Sequence, residues 1–405
     1  MLETYFLIVL FSKIIQHTMT VLEDSFFLFT CVGFWRPIKW NGLKANLYNF
    51  YTAFVVITNC SFFISGVTDI DYAHFDFFGS MDLITLMLQF VENTPKVLCV
   101  INDRSIILEV LRHFQSDPLD PKNEHEKLIQ RKIDNFNRRV NLWFPVLGFT
   151  SIMWYTVNHI LLMESPTVLP HDGKIPYNYS SNKKIYLLTA VNQIYSVFSL
   201  ASINAAFNTV FPTMMFQICA KLNILEYRFK LMLKKFECDK NNNREKFGKK
   251  KFYEIRSNLI GNWVENHIKL LNLFDSVNSL FAKAVFIHYI VNSFLLCTIA
   301  YIFSHTPFGG MASVSYMFYF VVKCSQQFLQ CASAHRVTVE FENLRDTIFD
   351  TNWYTTKRTV QKSMIIIMSK TMIPVVFVCG YFVDLSLDSF KSIMKLSYTI
   401  YNVLE

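Results

Sequence analysis

Seven apolar stretches, each long enough to cross a bilayer and separated by short, mostly basic segments, dominate this chain. They run roughly 47–67, 79–101, 140–163, 185–213, 277–304, 310–331 and 363–404. A bilayer core takes about 20 mostly apolar residues per helix. Of 405 residues, 52% are hydrophobic and 17% charged, against about a quarter charged in a soluble protein. The expected fold is an all-α membrane protein with seven transmembrane helices. The net charge of +8 sits beside the apolar runs, which points to loops facing anionic membrane lipid and not to nucleic acid. The stretch TYFLIVLF near the start is too short to span and has no basic flank; an interfacial or packed helix is expected, with a signal peptide as the alternative.

The basic residues set the direction. Arg36, Lys39 and Lys44 precede the first run, and the segments 102–139, 214–276 and 332–362 are rich in Lys and Arg. The connection DIDYAHFDFF is acidic and HTPFGG has no Lys or Arg. The positive-inside rule then puts the N-terminus in the cytoplasm and the C-terminus outside. Asn178 in NYS becomes an outward-facing glycosylation acceptor. This orientation is opposite to that of G-protein-coupled receptors, so no G protein is expected as a partner. The last run is interrupted after Pro374 by CGYFVDLSLDSF, which divides it into an inner and an outer piece. The segments DPLDPKNEHEKLIQRK and CDKNNNREKFGKKKF read as a solvated hinge with a helix start and as a flexible basic loop.

Enzyme chemistry is not expected. The nine cysteines have no metal-site spacing and read as small buried hydrophobes. His159, His288 and His305 lie on separate runs and read as packed or loop residues. No nucleophile elbow or Gly-rich phosphate loop occurs, so neither metal nor cofactor is expected.

The stretch from Glu340 resembles the C-terminal region of insect odorant receptors. It carries a Trp353–Tyr354 pair, a basic-apolar helix ending near Pro374, then Gly380, Tyr381 and Phe382, Phe390, and Ser397–Tyr398 near the end. CVGFWRP at 31–37 resembles the family's N-terminal segment. Where family members carry Arg and Gln before the proline, this chain has Ser369, Lys370, Thr371, Met372 and Ile373. The resemblance implies a ligand-gated, non-selective cation channel in the plasma membrane of a sensory neuron dendrite. An odour-binding subunit would join a co-receptor subunit in a tetramer around one central pore. The co-receptor is longer, mainly in the second cytoplasmic loop, so the modest 214–276 segment implies a tuning subunit. A gustatory receptor of the same superfamily is the nearest alternative, disfavoured by NWY and the SY ending. A secondary transporter is the more distant one, because a single broken span has no matching partner.

In the last run Asp388, Ser392, Lys395, Thr399 and Asn402 follow steps of 4, 3, 4 and 3, so they share one helix face. Such a stripe must meet water or protein, because lipid cannot satisfy it. It would line a pore or hydrogen-bond neighbouring helices, and the resemblance favours the pore. Lys395 would repel cations unless it snorkels, pairs with Asp388 or Glu405, or is diluted by co-receptor subunits. The resemblance also implies an outer gate, for which Thr399 and Val403, with Asn402 beside them, are the candidates, and the helix would finish at the outer mouth.

The ligand is expected to be a small volatile molecule in an aromatic cavity with few polar groups. The resemblance places that cavity in the outer half of the 47–331 helices, between the second and sixth spans. Tyr316, Tyr319 and Phe320 form one aromatic face on the sixth span. Gly148, Ser151 and Tyr155 share a face of the third, and Ile203 and Phe207 on the fourth with Leu86, Gln89 and Phe90 on the second would close the cavity. For each residue alone ordinary packing explains the pattern better; only the Tyr316, Tyr319 and Phe320 set balances the two readings. The segments 214–276 and 332–362 are expected to form a cytoplasmic anchor between subunits, with Trp263, Trp353 and Tyr354 in contact, and 363–405 to form the pore helix.

Overall fold

The computed structural model describes residues 25–69, 81–116, 119–161, 169–171, 173–180, 182–242, 249–306, 310–355, 358–380 and 383–404. The stretch TYFLIVLF, most of the acidic 69–78 connection, His159's side chain, Tyr381, Phe382 and Glu405 lie outside the described residues. The elements are helical in order: α1 (Phe27–Cys31), α2 (Leu43–Asp69), α3 (Met81–Asn102), α4 (Arg104–Gln115), α5 (Glu124–Leu161), α6 (Lys183–Asn242), α7 (Lys249–His305), α8 (Met311–Asp350), a 3-10 turn (Trp353–Thr355) and α9 (Arg358–Thr371). A two-stranded antiparallel hairpin, β1 (Val378–Cys379) with β2 (Val383–Asp384), then leads to α10 (Leu387–Leu404).

Helix α6 is the axis of the molecule. Its 60 residues span about 90 Å at 1.5 Å each, three times a bilayer core of about 30 Å. From Ile203 to Leu225 it is buried on nearly every face, with Phe207, Val210, Phe211, Met214, Met215 and Ile218 all at 1% exposure or less. A stretch buried all round, Asn204, Asn208 and Gln217 included, has to be wrapped by other helices. Here α5, α7 and α8 do the wrapping. Helices α7 and α8, of 57 and 40 residues, likewise run on past any bilayer thickness. Among the described residues four helical segments are long and apolar enough to cross a membrane: Leu43–Asp69, Leu83–Asn102, Lys183–Phe236 and Ser257–Phe303. Helices α5, α8 and α10 carry more polar residues, which in α8 are turned inward: Lys323, Gln326, Gln327, Gln330 and Ser333 are all buried.

The last run is interrupted as expected, but the break begins three residues before Pro374 and not after it. Helix α9 ends at Thr371, because proline disfavours helical backbone in the residue before it and offers no N–H. The hairpin tucks Phe377 into the core against Phe211, rings 5.0 Å apart at 71°. The Leu385 N–H donates to the Phe377 carbonyl at 2.9 Å, which aims α10 along α7 and α8.

Candidate functional site

Five helices enclose a narrow cavity of about 50 Å³, well below the 300–1,000 Å³ of sites for drug-sized ligands. Helix α3 contributes Leu86 and Gln89, one turn apart. Helix α5 contributes Ser151, Ile152 and Tyr155, and α8 contributes Ser315, Tyr316 and Tyr319. Val197 of α6 and Ile299 and Ile302 of α7 complete an apolar side. Gln89 Nε2 donates to the Tyr319 hydroxyl, joining α3 to α8 across one end of the space. Tyr155 stacks on His171, centroids 6.0 Å apart and planes at 8°. His171 is clamped in turn by Gln193: its N–H donates to Oε1 at 3.2 Å and its carbonyl accepts from Nε2 at 3.0 Å. A wider groove between α5, α6 and α8 is open and carries Lys132, Arg336 and Glu340, which suits it poorly to a small apolar ligand.

Six of the residues expected around a ligand line this cavity: Leu86, Gln89, Ser151, Tyr155, Tyr316 and Tyr319. Five do not. Phe90 stacks on Phe63 at 4.3 Å, and Phe320 is half-buried elsewhere on α8. A side chain at Gly148 would have nothing within 4 Å. Ile203 and Phe207 lie in the closed core farther along α6, Phe207 edge-on to Phe281 at 5.7 Å. Val197, about two to three turns earlier, takes their place. Nothing in the apolar pattern of α7 marks Ile299 and Ile302, because any of its faces would have served.

Beneath the Gln89–Tyr319 end sits a group that the pattern of spans did not single out. Glu92 and Lys96 of α3, His288 of α7 and Lys323 of α8 are at most 1% exposed. Glu92 Oε1 accepts from Lys96 Nζ at 2.7 Å and lies 2.7 Å from His288 Nδ1, while Oε2 accepts from Lys323 Nζ at 2.9 Å. Lys96 also donates to Asn204 Oδ1 at 2.7 Å, and amide pairs continue through Asn208 to Gln330. His288 is the packed residue expected. The signal for the rest was present: ionisable residues inside three separate spans are costly and tend to find one another.

Helix α10 rests on α7 and α8 through Ile393 and Ser397, with Cys297 Sγ donating to Ser397 Oγ at 3.3 Å and Phe390 edge-on to Phe328 at 5.6 Å. The opposite face exposes Asp388, Ser392, Lys395, Thr399 and Asn402 together. Val403 belongs to the helix, but its side chain lies outside the described residues. Asp388 pairs with Lys391 at 3.0 Å, a closer lysine than the Lys395 suggested by the stripe.

The 7tm Odorant receptor family model matches residues 80–398. The chain belongs to that family. Its relatives include Odorant receptor 19a of Drosophila melanogaster, 24% identical over 146 residues, 36% of this chain and 38% of that protein. The Odorant receptor coreceptor of Aedes aegypti is 23% identical over 164 residues, 40% and 34% of the two chains. The chain thus spans about two fifths of the length of the first curated relatives it matches. The fold is similar to that of the insect olfactory receptor OR5 from Machilis hrabei, solved in complex with eugenol. The TM-score is 0.79 at 14% identity, over 95% of this chain and 97% of that one. This is a seven-helix, multi-pass membrane fold of an olfactory receptor family and not that of an enzyme.

In this odorant-receptor fold the three aromatic anchor candidates part company. Trp263 is buried inside the chain, its Nε1–H donating to the Leu225 carbonyl at 3.1 Å and its ring 5.0 Å from Phe229. Trp353 is half-buried, while Tyr354 is 62% exposed. Asn178 is exposed, its Oδ1 accepting from the Ser180 N–H at 3.2 Å and hydroxyl at 2.9 Å.

Proposed function

We propose that this chain is the odour-tuning subunit of a ligand-gated cation channel. A small volatile molecule binds in the cavity bounded by Gln89, Ser151, Tyr155, Tyr316 and Tyr319. Four α10 helices, from this chain and a co-receptor, surround one pore. The carrying observation is the stripe on α10: five polar residues exposed on one face, the other face sealed against α7 and α8. Lipid offers such a stripe no hydrogen bonds, so water and neighbouring subunits are its natural surroundings. Thr399, with Asn402 and Val403, would gate the outer end, and dilution by co-receptor subunits would moderate the charge of Lys395. The basic ends of α5 to α9, Tyr354 among them, lie in the cytoplasm and hold subunits together. Asn178 faces outward as a glycosylation acceptor, and the protein resides in the plasma membrane of a sensory neuron.

The test is whole-cell recording over a panel of volatiles. Co-expression with a co-receptor should give evoked, cation-nonselective currents, and the chain alone little or none. Uptake of a volatile without any current in co-expressing cells would overturn the channel reading.

A further inference from the structure

The cluster under the cavity has an unusual charge balance for the interior of a membrane bundle. Two lysines and a histidine face one carboxylate, and both carboxylate oxygens are already taken. Besides Glu92, Lys96 Nζ meets His288 Nδ1 at 3.0 Å, the Asn204 amide oxygen at 2.7 Å and the Phe207 ring at 5.4 Å, while Lys323 Nζ meets the Tyr319 ring at 5.7 Å. Cation–ring contacts of this length are attractive, and more so away from water. Tyr319 lines the cavity. Its oxygen accepts from Gln89, and a cation lies over its ring; both draw electron density from the phenol and strengthen its O–H as a donor. Glu92 follows Gln89 by three residues and Lys323 follows Tyr319 by four, so the cluster lies one helical turn below that end of the cavity.

We propose that the Glu92–Lys96–His288–Lys323 cluster makes the cavity select ligands with a hydrogen-bond-accepting oxygen, a carbonyl or carboxyl group, over amines of the same length. Lys323 acts as a positioning residue through Tyr319 and does not touch the ligand. The apolar side formed by Val197, Ile299 and Ile302 holds the hydrocarbon chain. This inference rests on the cavity being the ligand site, and it adds the head-group chemistry. In an interior of low dielectric, one surplus charge a turn away favours an acceptor over a cation by about tenfold or more.

The probes are a matched seven-carbon ketone, carboxylic acid, primary amine and alkane. They are applied to the purified full chain in detergent, reading ligand-induced thermal stabilisation, and to co-receptor-expressing cells, reading evoked current. The wild type should bind the ketone and acid at least tenfold more tightly than the amine. Lys323→Met leaves one lysine per carboxylate, so a balanced cluster remains. It should cut that preference about tenfold while leaving the alkane unchanged, and Lys323→Arg should restore it. Gln89→Met, which removes the donor to Tyr319, should lower the preference in the same sense and serves if Lys323→Met does not fold. An amine bound as well as the ketone by the wild type overturns the proposal, as does Lys323→Met weakening all four probes equally. Selective binding without current upholds it and overturns the channel reading, whereas currents indifferent to head group do the reverse. Absence of binding by all four probes overturns both.

Discussion

Gly380 sits at φ +60° in the hairpin between β1 and β2, against the Phe286 ring of α7. Left-handed backbone costs a residue with a Cβ about 1–2 kcal/mol, and a Cβ here would also drive into that ring. Gly380→Ala should therefore displace the hairpin that aims α10. The expected result is a several-fold drop in surface-labelled protein and a lower melting temperature in detergent; wild-type levels of both would refute it. Family likeness marked this glycine in the sequence, but the reason for it is a contact with a residue about a hundred positions earlier. The same holds at the cavity. The spacing of Tyr316 with Tyr319, and of Leu86 with Gln89, was legible because helix periodicity puts such pairs on one face. Which face is turned toward the cavity depends on partners, and α6 is rotated and shifted so that Val197, not Ile203 or Phe207, is presented.

At the scale of elements, α5 and α6 are tied by one ion pair near the start of α5. Arg228 donates Nε to Glu126 Oε1 at 3.1 Å and Nη2 to Oε2 at 2.8 Å, and the Lys122 N–H donates to Oε2 at 2.7 Å. Burial would raise this carboxyl, but the Arg228 hydrogen bond and charge and the backbone amides hold it below the ordinary value of 4.5. A depressed native value means the unfolded chain binds the proton first as pH falls. The stabilisation is therefore whole above about pH 4.5 and lost progressively below it. Arg228→Met should cost about 2 kcal/mol at neutral pH, because Glu126 loses two charge-assisted hydrogen bonds and keeps its backbone amides. It should also flatten the fall in melting temperature on acidification. Thermal unfolding in detergent from about pH 7 down to about pH 4 checks both; a parallel pH profile in the variant would count against the assignment. The long apolar periodicity of CAKLNILEYRFKLMLKKF was legible as helix beyond the bilayer. It reads as the long cytoplasmic end of the fourth span, and α6 runs through both with Pro212 inside the helix; the unbroken passage at Pro212 is what the structure adds, since a proline inside an apolar run permits a break as readily as a continuous helix.

For the whole molecule, the decisive expectation concerns α10. With cysteine introduced singly at Ser392, Lys395 and Thr399, water-soluble thiol reagents should modify the co-expressed protein and change its current. At Ile393 and Ser397, both sealed against the bundle, modification should be at least tenfold slower. Equal rates on the two faces would remove the proposed wall of the pore. The chain's own order of residues determined the number of apolar runs, the basic bias of alternate connections, the break near Pro374 and the polar stripe, because each is a local property of composition and helical period. Only tertiary structure decided that Glu92, Lys96, His288 and Lys323 meet beneath the Gln89–Tyr319 end and that Trp263 turns inward. A side chain's partner depends on how helices distant in sequence rotate and slide when they pack, and each of these helices offers several faces of nearly equal apolarity.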